Sequence, residues 1–236
     1  MTDVRVQELL DALQKLGTVE RAQNERRYLK SELQHFGVPV PDVRRAVGEV
    51  VRQGAVGRSE LLEFCALLWE REIHESRLAA IELLVSERAQ LRGEDLEMIE
   101  SMLRDAWTWA LVDPLAIGVA GDLLVREPAL VLPGLARWTQ DRDFWLQRAA
   151  LLAHLLAVRQ STPGALERFG GQADALLASK EIFVRKAIGW VLREGTKKAP
   201  DAVFNWLLVR KERASRLTLR EASKHLSQEQ RAELLH

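Results

Sequence analysis

Apolar side chains recur along the chain with the spacing of amphipathic helices. In VQELLDALQKL, the residues Val6, Leu9, Leu10, Leu13 and Leu16 fall at i, i+3, i+4, i+7 and i+10, which places them on one helical face. The runs LLEFCALLWE, RLAAIELLVSER, EDLEMIESMLRD and RAALLAHLLAV follow the same pattern. No alternating stretch of useful length indicates a β-strand. The pattern predicts an all-α protein.

Glycine and proline interrupt these apolar runs at intervals that suit short helical hairpins. Pro114, Pro133 and the pair Gly170–Gly171 are among the positions expected to end helices. Roughly twelve helices fit between the interruptions.

A basic residue followed by alanine recurs inside four apolar helices, at Arg77, Arg148, Lys186 and Arg220. The intervals are 71, 38 and 34 residues, about two, one and one helical hairpins. This spacing predicts an α-solenoid of HEAT-like helical-hairpin repeats, a single domain over residues 1–236 that gathers these cations on a concave surface. Chance is the alternative, because arginine and alanine are both good helix formers.

Composition indicates a compact cytoplasmic protein. Of 236 residues, 47% are hydrophobic, enough to form a core, and no run approaches the ~20 apolar residues that span a bilayer. The N-terminus carries charges throughout, unlike a secretory signal. The single cysteine, Cys65, cannot form an internal disulfide.

The net charge of zero conceals a segregation of charge. Residues 60–127 hold 15 acidic against 6 basic residues, whereas residues 179–224 hold 12 basic against 5 acidic ones. The basic segment could bind a polyanion. Solvated helix faces are the plainer interpretation.

Several chemistries lack their sequence motifs. The five histidines form no HExxH or comparable ligand pair, and one cysteine cannot build a thiolate site. Walker, GxGxxG and GxSxG motifs are missing from the sequence. We therefore expect no metal site and no cofactor.

The stretch WTWALVDP places an acid among apolar and aromatic residues. If the chain is helical from Trp109, then Trp109 and Asp113 share a face at i and i+4. Alternatively, Asp113 caps a helix that begins at Pro114, which local rules favour. The two interpretations are compatible, since a capping acid can leave one oxygen facing a cleft.

Five blocks together resemble the AlkD-like DNA alkylation repair family, whose members are monofunctional glycosylases built from HEAT-like repeats. They occur in the family's order and are RRYLKSELQHFGVPVPDVRR (26–45), WALVD (109–113), FWLQRAAL (144–151), KEIFVRKAIGWVLRE (180–194) and SRLTLREASKHL (215–226). The resemblance covers residue 20 to the C-terminus.

The resemblance implies a set of site residues. Asp113 matches the family's catalytic aspartate, and Trp109 and Trp190 match the tryptophans that flank it. Arg148 matches a cleft residue that contacts DNA. Further candidates for phosphate contacts are Tyr28, Lys186, Arg193, Arg220 and Lys224.

The chain departs from the family pattern at two places. Thr108 separates Trp107 from Trp109, and Ala110 stands where members often carry a further acid. Pro39 replaces a polar residue that approaches the lesion in some members. Both departures bear on lesion preference more than on reaction type.

The implied activity is hydrolysis of the N-glycosidic bond of positively charged N3- and N7-alkylated purines. The implied partner is double-stranded DNA containing such purines, bound by a monomer. The alternatives are a non-catalytic HEAT-like DNA-binding or scaffold protein and a self-resistance glycosylase for bulky natural-product adducts. We expect Asp113→Asn to abolish excision with little effect on stability or DNA affinity, because asparagine also caps helices.

Overall fold

The computed structural model describes residues 2–54 and 57–235, so residue 1, residues 55–56 and residue 236 of the expected domain lie outside it. The α-helices are α1 Thr2–Leu16, α2 Val19–Leu29, α3 Val40–Arg52, α4 Arg58–Trp69, α5 His74–Ser86, α6 Leu96–Arg104, α7 Trp109–Pro114, α8 Gly121–Arg126, α9 Pro128–Thr139, α10 Phe144–Leu152, α11 His154–Arg159, α12 Ala165–Leu176, α13 Ile182–Thr196, α14 Pro200–Leu208, α15 Arg216–Ala222 and α16 Gln228–Leu235. Short 3₁₀ turns occupy Arg88–Gln90, Gly93–Asp95 and Ser223–His225.

The protein is all-α, as the periodicity predicts. Within the described residues, extended pairing is limited to one isolated bridge between Gln34 and Ile73. The apolar faces form one continuous core cluster. The exception is α2, which buries none of its residues.

Some expected helix breakers lie inside helices. Pro133 lies in the middle of α9, and Gly170–Gly171 lies within α12. Gly170 serves packing, because a Cβ there would come within 2.7 Å of the Trp206 indole nitrogen. A residue that usually ends helices is therefore retained where a neighbouring helix approaches closely.

Ion pairs join side chains about one repeat apart. Among the described residues, seven such hydrogen-bonded pairs have sequence separations of 35 to 38 residues. They are Arg44–Glu82, Arg58–Glu94, Arg58–Asp95, Arg104–Asp141, Arg148–Asp113, Arg159–Glu194 and Arg210–Asp174. This spacing is that of one helical hairpin in a solenoid, and each pair links adjacent repeats.

The acidic segment 60–127 supplies many of these links. Glu82, Asp95 and Asp113 each accept an arginine from a neighbouring repeat, and Asp105 pairs with Arg77 at 2.7 Å. These carboxylates join repeats and do not form a single solvated acidic face. None of the described helices is long and apolar enough to cross a membrane.

Candidate functional site

The helix that carries Asp113 begins earlier than local rules favour. Thr108 is its N-cap, and the Thr108 hydroxyl accepts a hydrogen bond from the Ala110 N–H at 3.4 Å. Asp113 lies near the end of α7, and Pro114 closes α7 without starting a new helix. The capping interpretation of Asp113 is therefore wrong. Trp109 and Asp113 are four residues apart in one helix, as the alternative interpretation requires.

Beyond Pro114 the helix continues as a π-helical segment, Leu115–Ala120, which leads into α8. The Gly121 N–H donates to the Ala116 carbonyl, a bond that spans five residues. Proline has no N–H, so Pro114 cannot donate to the carbonyl four residues before it. The chain thus remains helical while its register shifts directly after the acid.

Asp113 forms a bidentate ion pair with Arg148 of α10. The Arg148 Nε donates to Asp113 Oδ1, and Nη2 donates to Oδ2, both at 2.7 Å. The two side chains are 14% and 6% exposed. Such paired, charge-assisted bonds fix the plane of the carboxylate. Each oxygen keeps a lone pair for another partner.

Arg148 is itself held in place from a later repeat. Its Nη1 donates to the Phe183 carbonyl at 2.6 Å, and its guanidinium carbon lies 5.8 Å from the centre of the Phe183 ring. Nε and both terminal nitrogens of this guanidinium thus have partners within the protein. Contact between Arg148 and DNA stays a prediction, and the observed contacts orient Asp113.

Aromatic side chains border the acid on the N-terminal side. Trp109 is 37% exposed, and its ring meets Tyr28 of α2 edge to face, with centroids 6.1 Å apart. Tyr28 is 74% exposed. An open aromatic surface therefore lies one helical turn from Asp113.

The DNA alkylation repair enzyme family matches residues 9–226 of this sequence. The chain belongs to that family. Among curated proteins, none matches the sequence significantly.

Solved structures of family members share the fold. A predicted DNA alkylation repair enzyme from Enterococcus faecalis has a TM-score of 0.74 and 22% identity, over 90% of this chain and 97% of that one. AlkD2 from Streptococcus mutans has a TM-score of 0.62 and 17% identity, over 80% of this chain and 91% of that one. At these identities the likeness establishes the helical repeat architecture.

The spacing of the two tryptophans in WTW has a structural cause. Trp107 has a φ of +50°, in the left-handed region, and its side chain is 57% exposed. The Arg77 guanidinium carbon lies 5.8 Å from the Trp107 ring and 5.1 Å from the Trp69 ring. Trp107 thus belongs to the loop before α7, and Thr108 starts the helix that carries Trp109.

Trp190 is half-buried on α13, seven residues after Phe183 and therefore on the same helical face. No ring contact joins it to Trp109 among the described residues. Gly189, next to Trp190, allows α15 to pack closely against α13, because a Cβ at this position would lie 2.6 Å from the Glu221 Cβ. The flanking role of Trp190 stays a prediction.

The expected phosphate contacts divide into two groups. Lys186 and Arg220 are exposed and form no ion pair with another described residue. Arg193 and Lys224 both pair with Glu221. Burial raises the pKa of Glu221, but these two cations outweigh burial and hold that pKa below its ordinary value. Arg193 and Lys224 are therefore partly neutralised within the protein.

The repeated cations do not share one environment. Arg77 and Arg148 are buried and ion-paired, whereas Lys186 and Arg220 are exposed. The placement of all four on one concave surface stays a prediction, and of the four only Lys186 and Arg220 have no ion-pair partner among the described residues. A buried arginine can form an ion pair with an acid from an adjacent repeat, and a short sequence motif does not identify that partner.

Proposed function

We propose that the protein is a monofunctional DNA glycosylase that hydrolyses the N-glycosidic bond of positively charged N3- and N7-alkylated purines in duplex DNA. Such a reaction would begin base excision repair in the cytoplasm. One observation carries the proposal, namely the Asp113 carboxylate clamped by Arg148 one helical turn from the exposed Trp109. Membership of a DNA alkylation repair enzyme family supports it.

The proposed chemistry depends on the charge of the lesion. An alkylated purine cation is a good leaving group, because it takes the electrons of the N-glycosidic bond and departs as a neutral base. The deoxyribose then develops oxocarbenium character, as the sugar does in glycoside hydrolysis. Little general acid catalysis is needed, and the main catalytic requirement is to stabilise the positive charge that develops on the sugar.

In this proposal, Asp113 stabilises the sugar cation. A fixed carboxylate beside the sugar stabilises the developing positive charge without having to reorient. A free lone pair on the Asp113 carboxylate orients the water that adds to C1′, or accepts its proton. The bidentate clamp from Arg148 supplies the fixed orientation.

The aromatic residues contribute binding. The faces of Trp109 and Trp190 attract the cationic base and sugar, and each such contact contributes roughly 0.5–2 kcal/mol. Tyr28 extends this surface, because its ring adjoins Trp109. We expect loss of either tryptophan to slow excision less than loss of the carboxylate.

Lys186 and Arg220 fit the role of backbone contacts. Both are exposed on neighbouring helices, α13 and α15, and neither is paired with another described side chain. Contacts of this kind place a duplex without reading its sequence.

A base-release assay tests the proposal. We expect purified protein to release 7-methylguanine from duplex DNA well above the spontaneous rate, and Asp113→Asn to lower that rate by roughly 10²-fold or more. The control is Asp11→Asn, because Asp11 is exposed and bonds only to Gln7 on its own helix. Thermal melting of each variant separates loss of chemistry from loss of fold.

The alternatives give different outcomes. DNA binding without release above the spontaneous rate would indicate a non-catalytic DNA-binding protein. Release of bulky N3-adenine adducts in preference to methylated bases would indicate a self-resistance glycosylase. Normal excision by Asp113→Asn would refute the assigned role of the carboxylate.

A further inference from the structure

Three potential metal ligands meet among the N-terminal elements of the molecule. They are Glu25 on α2, His35 in the segment between α2 and α3, and Glu75 at the start of α5. One donor atom from each lies within 4.8 Å of the others. Short-range motifs could not reveal this group, because its members come from three separate elements.

His35 has no hydrogen-bond partner for its ring. Both ring nitrogens are enclosed, and neither bonds to any described protein atom. The ring stacks flat on His74, with centroids 4.5 Å apart and an angle of 8° between planes. Enclosed polar atoms nearly always have a partner, and both nitrogens of this imidazole are free to bind one.

Glu75 is fully buried and holds the segment that carries His35. Its Oε2 accepts the Phe36 N–H at 2.9 Å, and its Oε1 accepts the N–H groups of Gly37 and Val38 at 2.6 and 3.1 Å. No described lysine or arginine forms an ion pair with Glu75, so this buried carboxylate lacks a cationic partner. Oε2 accepts a single bond and keeps a lone pair.

Glu25 completes the group from α2. Its Oε1 accepts a hydrogen bond from Arg21 at 2.5 Å, which leaves Oε2 for another partner. Burial raises the pKa of the Glu25 carboxyl, and the charge of Glu75 raises it further against the opposing effect of Arg21. Burial likewise lowers the pKa of His35, which favours the neutral imidazole that binds metals. The group therefore combines two carboxyl groups with one imidazole.

We propose that Glu25, His35 and Glu75 bind one zinc ion, with water in the fourth position. One imidazole nitrogen and two carboxylate oxygens are a donor set that suits Zn²⁺. Tetrahedral zinc needs its donors about 3.3 Å apart, so the three side chains must draw together from separations of up to 4.8 Å on binding. This proposal departs from the expectation of no metal site, which was drawn from sequence spacing.

At this position the metal would have a structural role, which is to attach α2 to the rest of the protein. Since α2 buries none of its residues, the core does not hold it, yet it carries Tyr28 against Trp109. Glu25 lies one turn from Tyr28 on that helix. Zinc would join α2 to Glu75 of the core. His35 also lines an open pocket of about 760 Å³, which gives the ion a route of entry.

Metal titration of the full chain tests the proposal. After dialysis against a chelator, we expect calorimetry to show one Zn²⁺ bound per chain, Co²⁺ to give the visible absorption of a tetrahedral site, and zinc to raise Tm. Glu25→Gln and His35→Gln should each weaken zinc binding roughly tenfold or more. Circular dichroism confirms that both variants fold.

Two controls make the titration decisive. Glu20→Gln alters an exposed acid on the same helix, and His225→Gln removes an exposed histidine elsewhere. Both should bind zinc as the wild type does. The proposal fails if the wild type takes up no stoichiometric zinc, or if Glu25→Gln and His35→Gln bind it with unchanged affinity.

Discussion

At the scale of single residues, the family resemblance singles out Asp113 and Arg148, and the structure joins these two side chains by two hydrogen bonds. The bonds themselves could not be predicted, because the residues lie 35 positions apart and the pairing depends on how repeats stack. Local rules instead favoured a helix cap, since Asp-Pro often starts helices.

The ion pair changes what Asp113→Asn should do to stability. A capping role predicted little effect, whereas the amide replaces the two charge-assisted bonds to Asp113 by one bond to a neutral oxygen and leaves the buried Arg148 charge without a counter-charge. We expect the free energy of unfolding to fall by about 1–3 kcal/mol, less than the ~3–5 kcal/mol typical of losing a buried partner outright. Urea denaturation measures this fall.

Asp11→Asn is the comparison for that measurement. Asp11 is exposed, so its substitution should change the free energy of unfolding by less than about 0.5 kcal/mol. Equal effects of the two substitutions would show that Arg148 finds compensation elsewhere.

At the scale of elements, helices were predictable and several of their ends were not. Periodicity located the apolar faces, because burial imposes the 3.6-residue repeat. Pro133 and Gly170–Gly171 were expected to end helices, but they lie inside α9 and α12, where tertiary packing retains them. Tertiary contacts override local preference at such positions.

Gly189 shows how one small residue sets the approach of two helices. A Cβ at this position would lie 2.6 Å from the Glu221 Cβ and 3.2 Å from the Thr218 carbonyl oxygen. We therefore expect Gly189→Ala to push α15 away from α13 and to lower the free energy of unfolding by about 1–3 kcal/mol. Denaturant titration would record the loss.

Gly171→Ala supplies the matched control in another helix. A Cβ at Gly171 meets no atom within 4 Å, so alanine there should stabilise the protein by about 0.5–1 kcal/mol. A stabilising Gly189→Ala would show that α15 has room to move at no cost.

At the scale of the whole molecule, the segregation of charge was visible in the sequence but its purpose was not. Acids in 60–127 mostly hold repeats together, whereas the basic segment divides into paired and free cations. That division depends on Glu221, which pairs with Arg193 across the α13–α15 contact and with Lys224 three residues further along the chain. The composition gives the number of charged residues, but it does not show which of them are already paired with an opposite charge.

The salt dependence of DNA binding should follow this division. Each phosphate contact contributes about 0.9 to the slope of log K against log salt. We expect Lys186→Gln to reduce the slope by about one, because Lys186 is free to release counterions from DNA. Fluorescence anisotropy with duplex DNA over a range of salt concentrations gives the slope.

Arg193→Gln is the counterpart, since Arg193 is already paired with Glu221. For the Arg193→Gln variant, the slope of log K against log salt should stay closer to that of the wild type. A larger reduction for Arg193→Gln than for Lys186→Gln would mean that Glu221 releases its cations to DNA.

The π-helical segment Leu115–Ala120 has a consequence for how this gene can change over evolutionary time. Deleting one residue from an ordinary helix rotates everything beyond it by about 100° and exposes its core face. A π-turn already carries a surplus residue, so its loss restores an α-helix without breaking the chain. A one-residue deletion can therefore be absorbed directly after Asp113 and Pro114, and a relative that carries an ordinary α-helix there would be one residue shorter between the positions of Trp109 and Gly121.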